Sequence, residues 1–216
     1  MKTRNVLYIH PPRNGGKSIE QSIYNVTPKK SSSCHKDMQG HLNIYKGNAI
    51  GDCYTFTFCR NPWDRVVSLY HASKQIYKNF YVNEFPEYLE HHTSTHSDVP
   101  SFDDYIKYKL FTCHAQQLDY IEIKNSYNIN NYFLETFNDK TIFKLNFIGR
   151  FENYNEDYKK LAKNIKKFND WDINPLVHVN KTYHEPYWSY YTEETRDIVA
   201  KEWKDDIEYF KYQFKE

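Results

Sequence analysis

Apolar residues recur along this 216-residue chain in two rhythms, and the switches between them mark its elements. Asn5–His10 is a short apolar run, the pattern of a buried strand. Lys17–Tyr24 follows with helical spacing. The clearest strand is Cys53–Arg60, where aromatic and β-branched residues dominate (Cys-Tyr-Thr-Phe-Thr-Phe-Cys-Arg). Asn-Pro comes next, and Trp63–Tyr77 reads as a helix that tolerates a proline at its start, where the missing N–H has no partner to lose. Between residues 79 and 100 the chain turns polar and rich in His, Ser and Thr, the composition of a loop or lid insertion. Ser101–Leu110 restarts a helix, with Ser101 as N-cap ahead of Asp103 and Asp104. Leu145–Phe151 is another short apolar run. In Asn153–Phe168 the helical period buries Tyr158, Leu161, Ala162, Ile165 and Phe168 and turns Lys159, Lys160, Lys163, Lys166 and Lys167 to solvent. A last helix begins near Thr192, with Glu193 and Glu194 in its first turn, and carries the stripe Val199, Trp203, Ile207, Phe210 and Phe214. Strands separated by helices predict an α/β fold: a parallel sheet flanked by helices, with ligands at the carboxyl ends of the strands. The length suits one domain over residues 1–216, with the insertion at 79–100.

Composition changes this picture little but removes several functions. A net charge of +1 leaves no global signature for a polyanion, so nucleic acid is not an expected partner and any basic site must be local. No run approaches the ~20 apolar residues of a membrane span, and no apolar leader follows the Met-Lys-Thr-Arg-Asn start, so a cytoplasmic protein, or a soluble catalytic portion of something longer, is expected. Cys34, Cys53, Cys59 and Cys113 form no CxxC pair and read as structural thiols. His91, His92 and His96 lack the spacing of metal ligands, and no metal is expected.

Candidate chemistry concentrates in Tyr8-Ile-His-Pro-Pro-Arg-Asn-Gly-Gly-Lys-Ser-Ile19, where an apolar run meets a Gly-Gly turn bearing two cations and a serine. Glycine-turn and helix-terminal N–H groups converge on a phosphate or sulfate there, and the cations add full charge. Gly16, Lys17 and Ser18 match the end of the ATP-binding pattern GxxxxGK[ST], but Pro11 stands where its first glycine belongs. Proline fixes φ and removes a donor, which opposes the wide loop of a nucleotide triphosphatase. The second strand ends in Arg60-Asn-Pro, where a magnesium-dependent enzyme wants a carboxylate. An ATP-dependent kinase or triphosphatase is therefore the alternative, not the leading reading.

Pro12-Arg13-Asn14-Gly15-Gly16-Lys17-Ser18 resembles the 5′-phosphosulfate loop of sulfotransferases, usually Pro-Lys-Thr-Gly-Gly-Thr-Ser, and Arg60-Asn-Pro-Trp-Asp-Arg-Val-Val-Ser68 resembles their 3′-phosphate motif. The resemblance extends to the carbohydrate branch of that family through Gly40-His41-Leu42, Gln117-Leu-Asp-Tyr-Ile121, Phe147-Ile-Gly-Arg-Phe-Glu-Asn153, His178-Val-Asn-Lys-Thr182, Tyr190-Tyr-Thr-Glu-Glu194 and Asp206…Phe210-Lys-Tyr212. It implies a five-stranded parallel sheet of the P-loop nucleotide-kinase type. It also implies metal-free transfer of a sulfuryl group from 3′-phosphoadenosine 5′-phosphosulfate (PAPS) to a hydroxyl, commonly that of a carbohydrate. By the same resemblance Arg13, Asn14, Gly15, Gly16, Lys17, Ser18, Arg60, Ser68, Lys181 and Thr182 bind the donor. His41 is the general base, with His10 and His35 as runners-up, and Arg13 and Lys17 share the charge work that the family gives to one lysine. A neutral imidazole suits proton abstraction near pH 7, whereas arginine keeps the charge without giving up a proton. Acceptor contacts are expected from 79–100 and 124–139, and the acceptor is a glycan by resemblance, a small molecule otherwise. A non-catalytic module that binds a nucleotide or glycan is the third reading.

Overall fold

The computed structural model describes residues 6–24, 37–45, 48–73, 100–124, 133–179 and 184–215. They fall into two compact units, residues 1–60 with 116–181 and residues 61–115 with 182–216.

The first unit is built on a sheet. Strand β1 (Val6–Ile9) pairs in parallel with β2 (Tyr54–Cys59), and β2 pairs in parallel with β5 (Phe147–Arg150), giving the order β1-β2-β5. Strands β1 and β2 are buried along their whole length, as near-continuous apolar runs of parallel sheets are. Helix α1 (Gly16–Tyr24) and helix α5 (Tyr154–Asn169) cover one face of the sheet. There Ile19, Ile23, Tyr158, Leu161 and Ile165 meet Val6, Tyr8, Tyr54, Phe56 and Phe58. On the other face Thr57 Oγ1 donates to Ile9 O at 2.8 Å, so a polar strand residue is buried with its partner. The predicted α/β class with a parallel sheet is what forms, although the sheet has three strands among the described residues, not the five implied by resemblance.

Two elements of this unit lie outside the sequence expectations. Helix α2 (Met38–Tyr45) opens on Asp37, whose carboxylate accepts from Gly40 N–H at 2.7 Å. An antiparallel hairpin joins β3 (Leu134–Phe137) to β4 (Lys140–Phe143) through a two-residue turn in which Asn138 takes φ 51°. The burial expected of Phe168 fails: it is 47% exposed at the last turn of α5, where Asp170 (φ 57°) stops the helix, and its ring reaches Tyr54 at 5.4 Å. The five lysines of α5 are exposed as expected, three of them paired with Glu156, Asp157, Asp170 or Asp172.

The second unit is helical, with an aromatic core. Helix α3 (Pro62–Ser73) has its proline at the first position, and Asn61 Oδ1 accepts from Trp63 N–H at 3.1 Å as its cap. Helix α4 (Phe102–Lys107) starts at Ser101, whose Oγ accepts from Asp104 N–H at 3.1 Å. The C-terminal stripe is carried by two helices, α6 (Glu193–Glu202) and α7 (Lys204–Phe210), which meet at Trp203. Thr192 caps α6 in a reciprocal box with Thr195. Val199 and Trp203 pack among Trp63, Val66, Val67, Tyr105 and Phe111. Cys53, in the first unit, and Cys59, at the end of β2, are buried thiols, and Cys59 Sγ faces Gly149 O at 3.5 Å. Cys34, His91, His92, His96 and most of the expected insertion, 79–99, lie outside the described residues.

Candidate functional site

The chain leaves β1 at Ile9 and must turn sharply to enter α1 at Gly16, and the turn is made by two residues of positive φ. Gly15 (φ 78°) adopts that conformation at no steric cost, whereas Arg13 (φ 70°) does so against its own Cβ. Neither glycine has room for a side chain. A Cβ on Gly15 would lie 2.6 Å from Tyr154 Oη, and one on Gly16 would fall into the ring of His10. The first bond of α1 runs from Ser18 N–H to Gly15 O at 3.0 Å, so the amides of Gly16 and Lys17 precede the helical ladder at its positive end.

His10 is buried under this turn. Its Nδ1 lies 3.0 Å from Glu20 Oε1, and its ring stacks on Tyr8 at 5.0 Å. An ionised carboxylate only accepts, so in the neutral imidazole Nδ1 carries the hydrogen and the lone pair sits on Nε2, against Gly16. The runner-up base thus packs behind the loop and orders it.

The end of β2 locks onto the same turn. Asn14 Nδ2 donates to Phe58 O at 2.7 Å and to Gln117 Oε1 at 2.6 Å. Gln117 also takes both backbone groups of Arg60: its Oε1 accepts from Arg60 N–H at 2.7 Å and its Nε2 donates to Arg60 O at 2.9 Å. The Arg60 guanidinium lies 4.2 Å from the centre of the Phe151 ring and donates through Nη1 to Arg13 O at 3.0 Å. Burial, and then the charge of Arg60, lower the Arg13 guanidinium to about 10. Two cations are therefore held together at the positive end of a helix, an arrangement that binds an anion.

Tyr154 closes the cradle from α5. Its hydroxyl donates to Gly15 O at 2.6 Å, and burial pushes its own ionisation well above the ordinary tyrosine range. Ser18, expected as a donor-binding residue, sits on α1 facing the chain, where its Oγ accepts from Val179 N–H at 3.0 Å. Lys17 is exposed at the start of α1. Arg13, Asn14, Gly15, Gly16, Lys17, Ser18 and Arg60 are thus brought into one cluster. His41 is on α2 in the same unit, half-buried, with its amide bonded to Asp37 O at 3.2 Å. Ser68 is buried in α3 of the other unit. Lys181, Thr182 and His35 lie outside the described residues.

Gln117, Tyr154 and Phe151 carry parts of the site that residue patterning does not assign. Each is near in space and distant in sequence; the only trace of Gln117 and Phe151 was that Gln117–Ile121 and Phe147–Asn153 resemble family segments, and Tyr154 left none. Among the described residues no group of three or more His, Cys, Asp or Glu side chains is placed to hold a metal ion, and no helix is long and apolar enough to cross a membrane. No curated protein and no solved structure matches the chain. A family model described as the sulfotransferase family matches residues 6–213, from the first strand through the C-terminal helices. The chain belongs to the sulfotransferase family.

Proposed function

We propose that the chain is a PAPS-dependent sulfotransferase acting on a hydroxyl acceptor, a carbohydrate in the first instance, and that residues 1–216 work as one catalytic domain. The observation that carries the reading is the pairing of Arg13 with Arg60 beside the Gly15-Gly16 turn, a cationic cradle fixed by buried hydrogen bonds. Its composition fits the anionic groups of that donor: two guanidinium forks, the leading amides of α1 and a backbone approach that a Cβ would block.

PAPS supplies an activated sulfuryl group whose S–O bond to the 5′-phosphate breaks as the acceptor oxygen bonds to sulfur. In this reading Arg13 and Lys17 face the charge that develops on the departing phosphate oxygen, and Arg60 and Ser68 serve the 3′-phosphate. Asn14, Gly15 and Gly16 shape the loop, Ser18 joins it from α1, and Lys181 and Thr182 add a further contact. His41 removes the acceptor proton, leaving adenosine 3′,5′-bisphosphate and the sulfate ester. Positioning and charge stabilisation together supply most of such a rate enhancement.

Thermal shift with the bisphosphate and with ATP–Mg²⁺ tests the donor, and transfer of labelled sulfate to a panel of sugars and small alcohols tests the acceptor. The expected outcome is stabilisation by the bisphosphate, sugar-dependent transfer, and a His41→Ala variant that binds the bisphosphate but transfers at less than about 1% of the parent rate. Stabilisation by ATP–Mg²⁺ with no response to the bisphosphate would refute the proposal in favour of a kinase or triphosphatase. Bisphosphate binding without transfer to any acceptor would point to a binding module.

A further inference from the structure

Arg13 and Arg60 are 47 residues apart, yet a closed circuit of hydrogen bonds joins them. From Asn14 the circuit passes through its side chain to Gln117 Oε1, then from Gln117 to both backbone groups of Arg60. It returns from the Arg60 guanidinium to the carbonyl of Arg13, the residue next to Asn14. Gln117 is the one member that belongs to neither anion-binding stretch. It is buried, and its amide reaches both sides: Oε1 accepts from Asn14 Nδ2 at 2.6 Å and from Arg60 N–H at 2.7 Å, and Nε2 donates to Arg60 O at 2.9 Å. A glutamine that takes both the N–H and the C=O of one residue does for Arg60 what a neighbouring strand would do, extending the order of β2 by one residue. The same contact settles the Asn14 amide. Both hydrogens of its Nδ2 go to acceptors, Phe58 O and Gln117 Oε1, so its orientation is fixed.

We propose that Gln117 is a positioning residue for donor binding: it sets the spacing of the Arg13 and Arg60 guanidinium groups by tying the loop to the end of β2. The inference rests on the reading of this cradle as the donor site. Arg13 has a strained backbone and a like-charged neighbour, so without the circuit both arginines relax apart and the donor loses the fixed spacing of its two forks. The loss falls on donor affinity and KM before it falls on kcat.

The test measures binding of adenosine 3′,5′-bisphosphate and, separately, of inorganic pyrophosphate to the parent, to Gln117→Met, to Gln117→Glu and to Leu118→Ala. Leu118 is a buried apolar neighbour outside the circuit, so its truncation reports the effect of lost stability alone. Gln117→Met is expected to weaken both ligands by 10-fold or more, with Leu118→Ala within about 2-fold of the parent. Gln117→Glu supplies a readout that lost stability does not move. Its neutral acid can accept through one oxygen and donate through the other, as Arg60 N–H and Arg60 O require, whereas the carboxylate offers no donor to Arg60 O. Its affinity relative to the parent at the same pH therefore rises as pH falls from 8 to 5, while the ratio for Gln117→Met stays flat. If Gln117→Met does not fold, the pH dependence of Gln117→Glu decides. Variants that match the parent, or a flat ratio for Gln117→Glu, overturn the inference. A parent that binds pyrophosphate but not the bisphosphate overturns the donor assignment and leaves Gln117 to be judged on pyrophosphate. A parent that binds neither overturns both.

Discussion

Arg13 joins a strained backbone to a displaced ionisation, and the two can be separated. A non-glycine residue at φ 70° gives up about 1 kcal/mol. Arg13→Gly therefore holds or slightly raises resistance to urea, yet weakens the bisphosphate by about 10-fold or more, since a charge-assisted pair is worth ~1.5–3 kcal/mol. Arg13→Lys keeps the charge and the strain and should lose less affinity. Equal affinity of Arg13→Gly and the parent would place the anion elsewhere. The lowered proton affinity gives a second check, with a definite sign. Burial and Arg60 disfavour the charged form in the empty cradle, and a bound anion favours it, so binding raises the value from about 10 toward that of an ordinary arginine. Bisphosphate binding above pH 9 should take up protons, and its affinity should fall as pH rises through about 10. Calorimetry in buffers of different ionisation enthalpy measures the uptake, and proton release there would contradict the assignment. Gly16 is constrained by volume instead. Gly16→Ala drives a methyl into the His10 ring, at a cost on the order of 3 kcal/mol. His10→Ala in the same chain should recover part of that loss, and strict additivity in chemical denaturation would mean the two residues do not touch.

At the scale of elements, α1 binds one neighbouring segment along a single face through serines one turn apart. Ser18 accepts from Val179 N–H and Ser22 from Val177 N–H, at 3.0 and 2.9 Å. On α5, Tyr154 and Tyr158 are also four residues apart. Tyr154 donates to Gly15 O, and Tyr158 donates to Asn174 O at 2.7 Å. The irregular segment 171–179 is thus held by side chains in place of a sheet ladder, which gives partners to its backbone groups facing α1 and α5. Ser22→Ala leaves Val177 N–H without its acceptor and should cost about 1–2 kcal/mol. Hydrogen exchange should quicken at Val177 ahead of the strands, and unchanged protection at that amide would remove the serine from this role. Such an arrangement is illegible in advance because a serine inside a helix looks the same whether it faces solvent or grips a neighbouring chain. The helix starts at Ser101, Thr192 and Pro62 were legible, since a cap is a local bond between residues two or three apart.

Across the whole chain, what could be read was periodic or local, and what could not depended on contacts between distant segments. The buried runs in β1 and β2 and the stripes of α5 and α6 announced a parallel sheet and a helical core, because burial repeats with the geometry of the element. The cradle was legible as a string of cations and glycines, whereas its lock on Gln117, Phe151 and Tyr154 joins segments 57 to 139 residues apart. The aromatic residues, 18% of the chain, go in large part into the cores. In the helical unit Trp203 lies edge-on to Phe111 at 5.4 Å and receives the Arg65 guanidinium at 4.7 Å from its ring centre. Arg65 is fully buried and donates to Ala115 O at 3.0 Å. A buried guanidinium needs that carbonyl and that ring face, because desolvation without such partners costs several kcal/mol. Trp203→Phe keeps an apolar ring but gives up size and the better cation–π surface, worth ~0.5–2 kcal/mol. Trp203→Ala adds a cavity, for a total of about 3–5 kcal/mol. Arg65→Met in the Trp203→Phe background separates the two contributions. If the ring face stabilises the cation, the double variant is less destabilised than the sum of the single ones in urea denaturation. A sum that holds to within about 0.5 kcal/mol would mean that Trp203 acts by volume alone.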